Sequence, residues 1–171
     1  MVMDYKVIKS INGQVHWVDE KLMYLSKGTN IFESDLLGAN KKKIINLNIG
    51  DIGARKYFFS KIKLLSRCFR LFVSHVEITD NYIFVLGFSH IFIYCKFNKL
   101  LLRKEKLIGK RPLVIESIND QLFYGEYHSN SKRNGIGLFS ISLENGTKLL
   151  KKFYKVRHIH GVIMDPTNKD I

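Results

Sequence analysis

With 171 residues, 46% of them hydrophobic and 25% charged, the chain carries enough apolar material to bury a core, which excludes a disordered tail or linker. Lys and Arg number 28 against 15 Asp and Glu, a net charge of +13. Only 2 Pro and 2 Cys occur, which excludes a proline-rich spacer and a disulfide framework.

Taken in chain order, the start Met1-Val2-Met3-Asp4-Tyr5-Lys6 lacks the basic, apolar and small-residue pattern of a signal peptide. Short runs rich in Ile, Val, Phe and Tyr, punctuated by Gly, Asn, Asp and Ser, then predict strands at 14–18, 22–25, 82–86, 91–95, 121–124 and 137–142. Between them, 61–70 reads equally as a helix or as a loop followed by a strand. The most apolar stretch, 82–95, is too short for a membrane helix and is interrupted by Gly87, Ser89 and His90. A soluble, cytoplasmic protein with reduced thiols is expected, Cys68 and Cys95 being buried free cysteines.

A degraded four-strand unit recurs. Its third strands are Gly28-Thr-Asn-Ile-Phe-Glu-Ser34, Phe88-Ser-His-Ile-Phe-Ile-Tyr-Cys95 and Gly135-Ile-Gly-Leu-Phe-Ser-Ile-Ser142, and its fourth strands are the Lys-rich segments 42–47, 99–103 and 147–153. Units of roughly 47 residues with four strands are the signature of β-propeller blades. The expected fold is therefore all-β: a partial β-propeller of about three to four four-stranded blades, either open or completed by another chain. Its single domain would hold blades at roughly 1–50, 68–106 and 107–156, the start of a further blade at 157–171, and an insertion at about 50–67. Lysine on the fourth strands reads as protection of exposed sheet edges.

The segment Ser142-Leu-Glu-Asn-Gly-Thr-Lys-Leu149 resembles the Asp-box turn, Ser-x-Asp-x-Gly-x-Thr-Trp, with Glu144 in the acidic position and Leu149 in place of Trp. Ser34-Asp-Leu-Leu-Gly38 is a poorer copy, with Leu36 in the acidic position. Together with Arg111-Pro112, Gly125-Glu126-Tyr127, Arg133 and Arg157-His-Ile-His-Gly161, these residues are similar to sialidase-like (BNR/Asp-box repeat) β-propeller proteins, in their N-terminal part. The resemblance implies that Arg111, Glu126, Tyr127, Arg133, His158 and His160 lie near the mouth of the central channel as ligand-binding candidates. It assigns none of them as catalytic.

The residues themselves leave alternatives. On a strand, His158 and His160 share one face about 7 Å apart; they could hold an anion, a metal or a substrate oxygen, or bond backbone and line a polar channel. No third ligand is spaced to join them, so neither a metal nor another cofactor is expected. Glu126, Tyr127 and Arg133 invite comparison with a sialidase site, in which a Glu-activated Tyr attacks the sugar and arginines hold a carboxylate; the alternative is a Glu126–Arg133 pair with Tyr127 packed.

The function expected is that of a sialidase-like propeller fragment that binds acidic carbohydrate without complete catalytic machinery, so not an enzyme as this chain, though glycoside hydrolase-like if a fuller form is active. The alternative is a non-catalytic protein- or polyanion-interaction module using the basic surface, with self-association or another chain at the open sheet edge. Nucleic acid is not an expected partner, because the aromatic residues lie in apolar strands instead of among the basic groups.

Overall fold

The computed structural model describes residues 12–109, 112–128, 134–163 and 165. The chain divides into two compact units between Val73 and Ser74.

In the first unit, β1 (Gln14–Val18), β2 (Leu22–Lys27), β3 (Asn30–Asp35) and β4 (Lys42–Asn46) form one four-stranded antiparallel sheet in sequential order. Leu25, Ile31 and Leu47 are fully buried. The Tyr24 hydroxyl donates to Glu33 at 2.8 Å from across the β2–β3 pair. Three helices follow: α1 (Ile49–Ile52), α2 (Ala54–Lys61) and α3 (Lys63–Cys68). Asn48 starts α1 with a reciprocal cap, accepting from the Asp51 N–H while its own N–H donates to the Asp51 carboxylate. Of the two readings open for 61–70, the helix is the one observed. Neither α2 nor α3 has a buried residue, which is why their apolar periodicity is faint.

The second unit contains two sheets, β5 (Val73–Ile78), β6 (Tyr82–Gly87), β7 (His90–Cys95) and β8 (Leu101–Lys106), then β9 (Ile115–Ile118), β10 (Gln121–Gly125), β11 (Ile136–Ser142) and β12 (Gly146–Phe153). Side chains two apart along a strand share a face, and the pairs Phe84/Leu86, Ile91/Ile93, Leu122/Tyr124 and Phe139/Ile141 form one buried cluster between these sheets, with Ile115. Tyr124 stacks on Phe139, ring centroids 5.3 Å apart. Each fully buried side chain of this kind contributes about 1.5–3 kcal/mol.

Polar ties stitch the same seam from its outer to its inner strands. On β8, Arg103 donates to Glu105 (2.6 Å) and to the Leu143 carbonyl (2.7 Å), while Glu105 accepts from Thr147. Between the first hairpin turns, Asp120 accepts the Asn81 N–H and side-chain amide, at 3.2 and 2.6 Å. On the innermost strands, Ser117 donates to Glu77 at 2.9 Å and His75 Nε2 meets the Leu113 carbonyl at 3.0 Å.

Two local devices repeat in all three sheets. Each fourth strand carries one residue with no partner in the register, Ile44, Leu102 and Leu150, a bulge that bends the edge strand. At the end of each third strand a side chain accepts backbone N–H groups of the following turn. Asp35 accepts from Leu37, Ala39 and Asn40, the Cys95 sulfur from Asn98 and Phe97, and Ser142 Oγ from Asn145. Asp35, not a residue at position 36, therefore fills the acceptor role in the first sheet. At 142–146 the described acceptor is the Ser142 hydroxyl, and Glu144 is exposed.

The cysteines correct the expectation of buried thiols: Cys68 is exposed and Cys95 half-buried, both unbridged. Cys68 ends a solvent-facing helix, and Cys95 sits at a turn whose N–H groups its sulfur satisfies.

Candidate functional site

Beyond β10 the chain continues through Glu126, Tyr127 and His128. Glu126 extends the pairing with β11, its N–H donating to the Gly137 carbonyl at 3.0 Å, and its own carbonyl accepts the Ile159 N–H at 3.0 Å. That bond, with the close seating of Ile159 over Gly125, lays 157–161 beside the end of β10. A Cβ on Gly125 would lie 2.4 Å from Ile159 Cγ2. The segment expected to be an Arg-His-Ile-His-Gly strand carries no strand assignment; one described backbone bond anchors it where a strand needs a ladder.

The alternation of side chains nevertheless holds. Ile159 turns toward Gly125, while His158 and His160 come together with their Nε2 atoms 2.9 Å apart and ring centroids 4.5 Å apart. The Tyr127 ring lies 4.5 Å from the His158 ring and 5.5 Å from that of His160. His160 is exposed and His158 half-buried, so the three-ring cluster is open to solvent on one side.

Glu126 has a different environment. Its Oε2 accepts the Gly137 N–H at 2.7 Å and its Oε1 lies 3.6 Å from His128 Nε2. Gly109 and Gly137 close over it; a Cβ on Gly109 would approach Glu126 Cγ to 2.7 Å. The carboxylate thus faces β11 and His128. Of the six candidates, Tyr127, His158 and His160 form one cluster, Glu126 points into a neighbouring backbone site, and Arg111 and Arg133 lie outside the described residues. Among the described residues, no group of three or more His, Cys, Asp or Glu could hold a metal ion.

The sequence reading missed an apolar groove of about 330 Å³ beside this cluster. Leu138 on β11, Phe153 at the end of β12, and Val156, Ile159 and Val162 line it, together with His158. Leu138 is paired with Lys151 in the β11–β12 register, and the Lys151 ammonium lies 5.3 Å from the centre of the Phe153 ring. Lys155 and Arg157 flank Val156, all three exposed. Between Gly146 and Ile163 the chain carries Lys148, Lys151, Lys152, Lys155 and Arg157 and no acidic residue. That run of one sign, broken by Phe153, Val156 and Ile159, was the available signal.

A second titratable group lines the inner seam. Burial pushes the His75 imidazole below its ordinary pKa, against the opposing bond to the Leu113 carbonyl. Burial likewise pushes the Glu77 carboxyl up, with the Ser117 bond opposing and Glu116 adding to the rise.

No family model matches the chain, and no curated protein does. Among solved structures it is similar to a chain in the nidogen/laminin complex, at 13% identity over 90% of this chain and 52% of that one, with a TM-score of 0.53. It also aligns to the N-terminal domain of Nup159 (12% identity, 82% and 30% of the two chains, TM-score 0.41) and to the computationally designed Ika4 protein (8%, 90% and 80%, TM-score 0.47). The chain spans about half the length of the nidogen/laminin chain it matches. The likeness to the nidogen/laminin chain, at such low identity, speaks for the fold alone: three four-stranded antiparallel sheets in a partial β-propeller. No helix among the described residues is long and apolar enough to cross a membrane.

Proposed function

We propose that this partial propeller is a non-catalytic interaction module, and that the groove beside β11 and β12 captures an extended partner segment carrying apolar and acidic side chains. The observation that carries this reading is an apolar groove lined by Leu138, Phe153 and Val162 within a stretch, 146–163, whose charged residues, Lys151, Lys155 and Arg157 among them, are all basic. Apolar side chains supply affinity by leaving water, and the basic charge of this stretch supplies steering and selection against basic partners. The free thiols at Cys68 and Cys95 support a reducing, cytoplasmic setting.

A second reading, binding of an acidic glycan, is favoured by the half-buried Tyr127 ring beside His158 and His160, and by the sialidase-like residues around them. Aromatic faces and imidazole N–H groups suit a sugar ring and its carboxylate. Calorimetry separates the two. A peptide alternating Leu or Phe with Asp should bind at micromolar affinity and lose at least tenfold on Phe153→Ala. An acidic monosaccharide should bind only weakly and be insensitive to that substitution. Saturable sugar binding lost on Tyr127→Ala, without peptide binding, would replace the first reading with the second.

A further inference from the structure

We infer that His158 and His160 form a two-histidine chelate for a tetragonal divalent transition metal, of which Cu2+ is the best fit. Sequence spacing alone sets the two residues about 7 Å apart along an extended chain. Folding brings their Nε2 atoms to 2.9 Å, with the two rings inclined at 75°.

That distance selects a geometry. Metal–imidazole bonds are about 2.0–2.1 Å long, so two nitrogens on one ion are about 2.9 Å apart at a right angle and about 3.3 Å apart at the tetrahedral angle. The observed separation is the right-angle edge. Square-planar and tetragonal nitrogen and oxygen sites are those of Cu2+ and Ni2+, and Cu2+ stands highest in the affinity order of divalent first-row ions. The pair is also held in place before any ion arrives. Ile159, between the two histidines, is fixed by its N–H bond to Glu126 and by its seat over Gly125. Tyr127 packs against both rings from the other side.

In the ion-free state one imidazole donates its Nε2 proton to the other. Binding requires both Nε2 lone pairs, so the donor ring carries its proton at Nδ1 instead. The exposed side of His160 leaves the remaining positions to water. No third His, Cys, Asp or Glu completes the site among the described residues, which fits an open, exchangeable site better than a buried structural one.

The test uses the whole chain and Cu2+ alone in a non-chelating buffer. Electron paramagnetic resonance at one equivalent should show hyperfine coupling from two imidazole nitrogens. His158→Gln and His160→Gln should each reduce the pattern to one nitrogen and weaken binding at least tenfold, with circular dichroism unchanged. Tyr127→Leu should weaken binding by a smaller factor while keeping the two-nitrogen pattern. Copper affinity and spectrum unchanged in both histidine variants would place the ion elsewhere and overturn the inference, as would the absence of stoichiometric binding by the parent chain. Neither result depends on whether the groove binds a peptide.

Discussion

Glu105 on β8 accepts both the backbone N–H and the hydroxyl of Thr147 on β12 through one carboxylate oxygen, at 2.8 and 2.7 Å, while its other oxygen takes the Arg103 guanidinium at 2.6 Å. One side chain of the second sheet thereby fixes the last turn of the third. Replacing it leaves the Thr147 backbone donor without its acceptor and the Arg103 guanidinium with only its bond to the Leu143 carbonyl. Glu105→Ala is expected to lower stability by about 1.5–3 kcal/mol in urea unfolding, and Thr147→Val by about 1 kcal/mol. The double variant should cost less than the sum of the singles, because the two share one bond.

Gly146 and Gly28 make a matched pair. Both have positive φ, 65° and 61°. A Cβ on Gly146 would lie 2.5 Å from Glu105 Oε1 and 2.6 Å from Arg103 Nη2, whereas one on Gly28 meets nothing within 4 Å. Gly28→Ala should cost only the left-handed backbone penalty, about 1–2 kcal/mol. Gly146→Ala should cost that plus disruption of the ion pair, measurably more in the same assay.

Acid should weaken the second unit. Burial pushes Glu105 and Asp120 up, but bonds from Thr147 and Arg103, and from Thr79 and Asn81, outweigh it and hold both carboxyls below their ordinary values. A lowered carboxyl contributes stability above its unfolded pKa, near 4, and loses it as pH falls through the folded value. Glu77 runs the other way. Its raised pKa favours the neutral form, so its contribution is present in acid and lost as pH rises. Glu77→Gln, which keeps an acceptor for Ser117, should stabilise the chain at pH 7–8 and change little at pH 4. Denaturant midpoints across pH check both limbs.

The turn acceptors give a third substitution series. Asp35, Cys95 and Ser142 occupy matching ends of β3, β7 and β11 and do the same work with three different atoms. Cys95→Ser retains an acceptor and should be near neutral. Cys95→Val presents an apolar group to the Asn98 and Phe97 N–H groups and should lower the urea midpoint below that of Cys95→Ser.

The strands were legible because each puts alternating Ile, Phe, Val or Leu on a buried face; Phe84/Leu86 and Phe139/Ile141 are visible as period-two pairs. The acceptor turns were only half legible. A repeat written on small residues aligns Ser34 with Cys95 and Ser142, whereas the shared property is a side-chain acceptor, which places Asp35 there. The helices at 49–61 were hidden, and the one at 63–68 was only one of two open readings, because they bury almost nothing. For the site, alternation foretold that His158 and His160 share a side, but not that they would touch, since 157–161 does not have strand geometry. The groove depends on Leu138 and Phe153, close only after β11 and β12 pair, and no linear pattern records that.

A charge swap in the basic stretch beside the groove tests the central claim most directly. The chain carrying Lys151→Glu and Arg157→Glu is titrated, beside the parent, with the acidic–apolar peptide and with its counterpart bearing Lys at the Asp positions. Capture of an acidic segment predicts that the parent prefers the acidic peptide by tenfold or more and that the variant reverses the preference, both weakening as salt rises. Equal affinity of the parent for both peptides, or an unchanged preference in the variant, would contradict it.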